Sequence, residues 1–166
     1  QRVAMGIQEV NRFEVDPEPQ PLSKSILEEE MKYWSREWDT LNGGERRTQK
    51  FITPTKFNYL LHYQQLTQDA NIKEYLEKSL VNIAKSGIVD HLQGGFYRYT
   101  VDPEWKIPHF EKMLYDNAQL LGLYATAFKV FQNQVFKERV FQTFDFLQRT
   151  FKDPSGGYYS AIDADT

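Results

Sequence analysis

The sequence has no cysteine and only three histidines among its 166 residues. The absence of thiols excludes disulfide bonds, thiolate catalysis and cysteine-ligated zinc within this chain. The histidines are His62, His91 and His109, and no two of them are three or four residues apart, the spacing at which a helix presents two metal ligands. We therefore expect neither a metal ion nor any other cofactor.

An excess of positive charge and a long hydrophobic run are also absent. The chain has 20 Lys and Arg against 23 Asp and Glu, a net charge of -3, whereas nucleic-acid binding requires a basic face. No apolar run approaches the roughly 20 residues of a membrane span, and the first residues, Gln1–Val3, do not resemble a signal peptide. We expect a cytoplasmic protein with no nucleic-acid or membrane partner.

Aromatic residues, in contrast, are abundant. Phe (12), Tyr (10) and Trp (3) make up 15% of the sequence. Flat rings fill hydrophobic cores, and they also line pockets that stack sugars or other ring-shaped ligands. The chain has the length of one ordinary domain and can bury a core. The aromatic surplus therefore fits either a dense core or a ligand pocket.

Apolar residues recur at helical spacing, and this pattern predicts an all-α fold. The predicted helices cover residues 1–15, 23–38, 53–67, 71–86, 108–131 and 134–151. Pro108 suits the first position of the fifth helix because its fixed φ matches the helical value. The prolines of residues 16–21 cannot be helical. We therefore divide the chain into a leading helix with a linker, residues 1–21, and a helical domain, residues 22–166.

An aspartate followed closely by a glycine pair occurs three times, with two predicted helices between successive copies. The copies are Asp39 with Gly43-Gly44, Asp90 with Gly94-Gly95, and Asp153 with Gly156-Gly157. Stacked αα-hairpins form an open solenoid or a closed toroid, and long loops at one end favour part of an (α/α)6 toroid. Aromatic residues after the second pair predict a short β-hairpin-like loop near residues 94–102. A closed ring of six hairpins needs roughly 330 residues, so we expect a fragment of a longer protein.

The stretch that follows the second glycine pair carries polar side chains in unusual positions. On a helical wheel of the predicted fifth helix, His109, Asp116 and Asn117 face an otherwise apolar side, where unpaired polar groups cost about 1–3 kcal/mol each. One interpretation is a satisfied structural network, with Asp116 bonded to a nearby loop or to Arg98. The other is a water-filled cavity that binds a ligand.

Several long segments carry a family resemblance. The central one is Gly94–Asp102 followed by Trp105–Leu120, and the others are Gly156–Asp165 and Trp38–Gly44 with Lys50–Pro54. Together they resemble the signature of the thioredoxin-domain-containing proteins related to spermatogenesis-associated protein 20. The resemblance spans residues 22–166.

This resemblance implies an N-terminal thioredoxin-like domain followed by an (α/α)6 toroid of the six-hairpin glycosidase superfamily, akin to N-acylglucosamine 2-epimerase. The chain would hold only the first part of the toroid. Its partners would then include the missing toroid half and the thioredoxin-like domain, and its exposed helix faces would favour self-association. Residues 45–49 depart from the family, in which a more apolar segment is expected.

A carbohydrate-active site of the sugar epimerase or glycoside hydrolase type is the first functional hypothesis, with a sugar or other small molecule as its ligand. Epimerisation needs paired acid/base groups, and hydrolysis needs two carboxylates. We expect His109 to act as acid or base, and Asp116 and Glu111 to complete the catalytic set. The substrate-binding candidates are Arg98, Tyr97, Tyr99, Asp102, Trp105, Asn117, Asp163 and Asp165.

Structural alternatives exist for some of these residues. Asp163 and Asp165 also fit turn and N-cap positions, and Arg98 also fits a structural salt bridge. A second hypothesis is a non-catalytic module that binds a ligand or a protein and works with the thioredoxin-like domain. The sequence leaves open whether the chain is an enzyme.

Overall fold

A computed structural model describes residue 21 and residues 23–165. The predicted helix 1–15 and nearly all of the predicted linker 16–21 lie outside the described residues. The chain divides into two compact units, and the division falls between residues 36 and 37 of the sequence. The first unit contributes helix α1, Lys24–Ser35. Its start agrees with the predicted helix 23–38, because Ser23 caps the helix: its hydroxyl accepts a hydrogen bond from the N–H of Ile26 at 3.3 Å.

The second unit contains four helices and five two-residue strands among its described residues. The helices are α2 (Pro54–Thr67), α3 (Ala70–Lys85), α4 (Leu114–Phe131) and α5 (Gln134–Phe146), and a π-helical turn, Leu147–Phe151, extends α5. The strands are β1 (Lys50–Phe51), β2 (Tyr99–Thr100), β3 (Pro108–His109), β4 (Lys112–Met113) and β5 (Ala161–Ile162). The predicted all-α class with a short β element is confirmed.

The helices form two αα-hairpins that lie side by side. Helix α2 packs against α3 and α4, and α5 packs against α4 and α3, so one layer holds α2 and α4 and the other holds α3 and α5. Tyr124 of α4 is buried between the layers, where its hydroxyl donates to the carbonyl of Leu80 in α3 at 3.0 Å. Its ring stacks on Phe96 at 5.5 Å between centroids. The aromatic surplus therefore contributes to the core.

The three glycine loops share one set of backbone hydrogen bonds. We name them loop 1 (Asp39–Gly44), loop 2 (Asp90–Gly95) and loop 3 (Asp153–Gly157). In each, the aspartate N–H donates to the carbonyl of the second glycine, and the first glycine N–H donates to the aspartate carbonyl, at 2.8–3.1 Å. Their glycines have φ between 73° and 106°, a range that side chains rarely adopt. The predicted sequence repeat is therefore also a structural repeat.

Two small antiparallel sheets connect these loops. In the first, β2 lies between β1 and β3, with Tyr99 opposite both Phe51 and His109. In the second, β4 pairs with β5, with Lys112 opposite Ile162. Each sheet joins a strand that follows one glycine loop to a strand that follows the next. Successive glycine loops are consequently neighbours in space.

The predicted start of the fifth helix at Pro108 is wrong. The Asp102 carboxylate accepts backbone N–H groups of Glu104, Lys106 and Ile107 and closes a tight turn, which returns the chain alongside β2. Pro108 therefore lies in strand β3, and the helix begins six residues later. Sheet pairing outweighs the local preference of proline for a helix start.

The same correction applies to His109, which the sequence pattern places on the apolar side of the predicted helix. His109 lies in β3 and not on the helix, and its neighbour Phe110 is 59% exposed. The sixth helix also ends earlier than predicted as an α-helix, because residues 147–151 form the π-helical turn.

Two buried lysines hold the glycine loops to the strands. Lys112 Nζ donates to Asp90 Oδ2 at 2.7 Å and to the Gly94 carbonyl at 3.0 Å in loop 2. Lys50 Nζ makes the corresponding bonds in loop 1, to Asp39 Oδ2 and to the carbonyl of the first glycine. Their side chains are only 1% (Lys50) and 5% (Lys112) exposed. Buried charges must be paired, so each lysine fixes its strand against its loop.

The electrostatics of loop 2 agree with this pairing. Burial raises the pKa of Asp90, but hydrogen bonds from Lys112 and from two loop N–H groups outweigh it, and the pKa falls to about 2. Burial lowers the pKa of Lys112, and the attraction of Asp90 only partly opposes this. The Asp90 carboxylate is therefore ionised at neutral pH.

Asn117 fixes loop 2 to the start of α4. Its side-chain oxygen accepts the N–H of Phe96 at 2.7 Å, and its side-chain nitrogen donates to the carbonyls of Phe96 at 3.0 Å and Met113 at 2.9 Å. The residue is fully buried. These three bonds give the polar side-chain atoms of Asn117 their partners. Asn117 is therefore part of a structural network, the first of the two interpretations considered from the sequence.

Replacement of Gly95 by alanine will destabilise the protein more than replacement of Gly157. Both residues have φ near 80°, so both variants carry a left-handed strain of about 1–2 kcal/mol. A Cβ on Gly95 meets the Phe146 ring and lies 3.0 Å from Asn117 Oδ1, whereas one on Gly157 has open space. We expect Gly95→Ala to lower the free energy of unfolding in urea by about 1–3 kcal/mol more than Gly157→Ala does. Equal losses would show that the neighbours of Gly95 can move aside at little cost.

Asn117→Ala will lower the free energy of unfolding by about 2–4 kcal/mol, because it leaves a buried N–H and buried carbonyls without partners. The matched control is Asn82→Ala, since Asn82 makes one exposed bond, to Leu41, and should cost less than about 1 kcal/mol. Urea unfolding at neutral pH measures both. If Asn117→Ala lowers the free energy of unfolding no more than Asn82→Ala does, Asn117 does not hold loop 2 to α4.

Candidate functional site

A cleft of about 200 Å³ lies between the first turns of α2 and α4. We name it the Asp116 cleft. Strand β1, the segment that leads into β2 and the two helix starts supply its wall. Its lining residues are Phe51, Ile52, Thr53, Pro54, Thr55, Tyr97, Arg98, Asp116, Gln119 and Leu120. The wall combines aromatic and aliphatic surface with a few polar groups, as small-molecule sites do.

Asp116 supplies a titratable group to this cleft. It lies in the first turn of α4 and is partly buried. Burial raises its pKa to about 6, although the positive charge of Arg98 opposes the shift, and the negative charge of Glu111 adds to it. No hydrogen bond from the described residues holds the carboxylate in its charged form. Such a group can take up and release a proton near neutral pH.

Arg98 lies beside Asp116 but is paired elsewhere. Its Nη1 donates to Glu111 Oε2 at 2.8 Å, and its backbone N–H donates to the Glu111 carbonyl at 2.8 Å. The structural salt bridge considered from the sequence is thus present, with Glu111 and not Asp116 as the partner. Arg98 Nε is buried and has no hydrogen-bond partner among the described residues. The guanidinium therefore retains a donor beside the cleft.

Tyr97 forms another part of the wall. Burial raises its pKa to about 12, with a further contribution from Asp90, so its hydroxyl is neutral at physiological pH. Its ring meets Phe110 edge-on at 5.2 Å and lies 4.9 Å from Lys112 Nζ. Tyr97 also lines a second cleft, of about 300 Å³, between loop 2 and β5.

The backbone at the mouth of the Asp116 cleft is strained. Thr53 has a φ of 51°, which is unusual for a β-branched residue. It precedes Pro54, the first residue of α2. Residues in sparsely populated backbone regions cluster at functional sites, where the surrounding structure holds them.

The structure places the remaining predicted catalytic residue, His109, outside the cleft wall. Its ring stacks on Tyr99 with centroids 4.8 Å apart, and Tyr99 also contacts Phe51 at 4.9 Å. His109 Nδ1 is buried with no partner among the described residues. His109 and Tyr99 are therefore parts of an aromatic row across the first sheet.

Three predicted binding residues have structural contacts. Asp102 closes the turn before β3, and Asn117 clamps loop 2, as described above. Trp105 is 1% exposed, and its Nε1 donates to the carbonyls of Asn42 at 3.1 Å and Gly43 at 3.3 Å in loop 1. The Trp105 ring is thus buried against loop 1 and presents no open face to a ligand.

The last two predicted binding residues follow loop 3. Asp163 lines the second cleft together with Asp90 and Lys112. It also accepts the N–H of Asp165 at 3.2 Å, which is the turn contact considered from the sequence. Asp165 is exposed. The structure therefore brings Arg98, Tyr97 and Asp116 together and leaves Asp163 and Asp165 elsewhere.

Sequence reasoning missed the two buried lysines and the threonines at the start of α2. A signal was present, because Lys50 and Lys112 each occur a few residues before a helix start and after an aspartate-glycine loop. Among residues 23–165, no group of three or more His, Asp or Glu side chains could hold a metal ion. No helix in the described part of the chain is long and apolar enough to span a membrane.

Comparison with known proteins gives relatives in sequence and in fold. No protein-family model matches the chain. Spermatogenesis-associated protein 20 of Mus musculus is 40% identical over 133 residues, which are 78% of this chain and 17% of that protein. The chain thus spans about a sixth of the length of this curated relative.

Two kinds of solved structure share the fold. A sugar epimerase from a ruminal bacterium superposes with a TM-score of 0.70 at 16% identity, over 81% of this chain and 37% of that one. A family 76 glycoside hydrolase from Bacteroides thetaiotaomicron superposes with a TM-score of 0.67 at 15% identity, over 84% of this chain and 31% of that one. Both have (α/α)6 toroid folds. The chain belongs to the family of spermatogenesis-associated protein 20, and its two αα-hairpins have the fold of part of an (α/α)6 toroid.

Proposed function

We propose that the Asp116 cleft binds a sugar and that the Asp116 carboxyl acts there as a general acid or base. The observation that carries this proposal is a partly buried carboxyl with a pKa of about 6 that faces a cleft beside a guanidinium. An ordinary surface aspartate is fully ionised at neutral pH, whereas a group that titrates near pH 6 exchanges protons readily. The likeness to sugar-converting folds supports a carbohydrate ligand.

The cleft favours proton transfer at carbon over glycoside hydrolysis. Hydrolysis uses two carboxylates on either side of the scissile bond, and Asp116 is the only carboxylate among the described residues that line this cleft. In an epimerisation, a base removes the proton from the carbon beside a carbonyl, and a second group returns a proton on the opposite face. Asp116 takes the role of base, and Arg98 stabilises the negative charge that develops on the carbonyl oxygen. Tyr97, whose hydroxyl is neutral at physiological pH and which lines the same cleft, donates the returning proton. Thr53 holds a hydroxyl group of the sugar.

The first test is binding of sugars to the purified protein. Mannose, N-acetylglucosamine, N-acetylmannosamine and cellobiose are titrated while ligand NMR and thermal shift are recorded. We expect at least one to bind and Asp116→Asn to weaken it by about tenfold, or about 1.4 kcal/mol. Asp145→Asn is the matched control, because Asp145 is an exposed aspartate of α5.

Proton exchange distinguishes the reaction types. In deuterated water, an epimerase exchanges the hydrogen at C2 of a bound reducing sugar, and its NMR signal decays. This decay should be absent in Asp116→Asn and unchanged in Asp145→Asn. Sugar binding without hydrogen exchange would show that the cleft binds sugars but that Asp116 is not catalytic. If none of the sugars binds, the proposed function is wrong.

Asp116 should also carry a pH-dependent cost to stability. Its pKa rises from about 3.9 in the unfolded chain to about 6 in the folded protein, so folding favours the protonated form. The cost is absent below about pH 4, grows between pH 4 and 6, and is complete above. Asp116→Asn cannot ionise and should be more stable than the parent by about 1 kcal/mol at pH 8, after allowance for solvent screening. At pH 4 the two should be equal.

Urea unfolding at the two pH values measures this difference, with Asp145→Asn as the control that should show no pH-dependent gain. Destabilisation by Asp116→Asn at pH 8 would show that the carboxylate is a structural ion pair. A stabilising change at the proposed catalytic group is the expected trade-off between stability and function.

A further inference from the structure

The side chains that fill loops 1 and 2 come from the hairpin that follows each loop. Lys50 enters loop 1 and precedes α2, while Lys112 enters loop 2 and precedes α4. The first glycine of each loop lies against the second helix of the following hairpin. A Cβ placed on Gly43 of loop 1 would lie only 2.6 Å from the Cα of Ser79 in α3, and one on Gly94 of loop 2 would lie 3.1 Å from the Cβ of Phe146 in α5. Each loop is thus a socket for the next αα-hairpin.

Loop 3 is one residue shorter than these two sockets but makes the same pair of backbone hydrogen bonds. The N–H of Asp153 donates to the Gly157 carbonyl at 3.1 Å, and the N–H of Gly156 donates to the Asp153 carbonyl at 3.0 Å. The residue two positions after the second glycine is Tyr159, which corresponds to Tyr97 in loop 2. Its N–H donates to the Phe151 carbonyl at 2.8 Å, as that of Tyr97 does to the carbonyl two residues before Asp90 at 2.9 Å.

The lysine position of loop 3 is not filled by any described residue. The Asp153 side chain is partly exposed and its carboxylate accepts the hydroxyls of Ser155 and Tyr159. A Cβ built on Gly156 or Gly157 meets no atom within 4 Å. Aspartate, glycine carbonyl and tyrosine ring are the groups that surround Lys112 in loop 2.

We propose that loop 3 is a docking surface for a further αα-hairpin of this repeat, whose leading strand inserts a lysine between the Asp153 carboxylate and the Gly156 carbonyl. The partner is defined by its chemistry: a lysine shortly before a helix start, and a bulky side chain from the second helix that covers the glycine pair. Charge complementarity selects the lysine, and the Tyr159 ring flanks it by a cation–π contact. The Tyr159 hydroxyl occupies Asp153 until the lysine arrives.

The proposal is independent of the sugar cleft, because no residue of loop 3 lines the Asp116 cleft. It predicts an interaction that depends on the charge of Asp153. Asp153→Asn removes this charge and retains the Oδ1 acceptor for the N–H of Ser155. Asp153→Asn should lower the unfolding temperature less than Asp90→Asn does, because it costs only the exposed contact with the Tyr159 hydroxyl, whereas Asp90→Asn leaves Lys112 buried without its partner.

The binding test uses a synthetic peptide with the sequence of residues 108–151, the segment that fills loop 2, added to the 166-residue chain. Lys112 already occupies loop 2, whereas no described residue fills the lysine position of loop 3. We expect binding tighter than about 1 mM, with amide shifts at Ser155, Gly156 and Gly157 in NMR spectra. A peptide with Met in place of its lysine should bind at least about tenfold more weakly, a loss of about 1.4 kcal/mol.

Variants of the protein complete the test. Asp153→Asn should weaken the lysine peptide by about tenfold and leave the methionine peptide unchanged, while Asp165→Asn, at an exposed acid nearby, should change neither. Equal binding of the two peptides, shifts confined to other residues, or no binding below about 1 mM would each overturn the proposal. Analytical ultracentrifugation of the protein alone tests whether a second copy of this chain occupies loop 3 instead. A dimer that Asp153→Asn abolishes would show that it does and would overturn the proposal of a further hairpin.

Discussion

The pairing of a buried lysine with the aspartate of a glycine loop is the interaction on which this fold depends. A lysine that is almost completely buried is tolerated only where a carboxylate and carbonyl groups receive it. Lys50 and Lys112 meet that condition in loops 1 and 2. Each lysine precedes a helix, so the pair determines where that helix begins relative to the loop. The glycine pair allows the loop to close tightly enough for its carbonyl to point at the lysine.

The position of the Asp116 cleft follows from this arrangement. Lys112 and Asn117 hold loop 2 against the start of α4, and this places Tyr97 and Arg98 beside Asp116. Lys50 holds β1 in the neighbouring repeat, from which Thr53 and α2 supply the opposite wall. The structural contacts of one loop thus position the polar groups that a ligand would meet. Rigid support of this kind is what a site needs to keep its groups in place.

Much of the fold was predictable from local patterns. The predicted helix starts at residues 23 and 53 were correct to within a residue, because capping by Ser23 and the φ of Pro54 are local effects. The predicted helix start at Pro108 was wrong because proline's preference is also only local. The turn at Asp102 and the pairing with β2 outweighed it, and local sequence reveals neither. Within the candidate site, Asp116 was identified from its position on an apolar helix side, and Arg98 was named as a binding candidate. Their separate roles, one unpaired and one bound to Glu111, depended on contacts between distant segments.

The sequence by itself determined the helical hairpins, the threefold repeat of aspartate and glycine loops, and the family. These depend on spacing, on turn residues and on similarity along the chain. Only the tertiary structure decided that the lysines are buried partners of the loops, that Trp105 and Asn117 serve packing, and that Asp116 titrates near pH 6. The physical reason is that burial and charge pairing are properties of neighbours in space, and residues up to about 60 positions apart in sequence, such as Trp105 and Gly43, become such neighbours only when the hairpins stack.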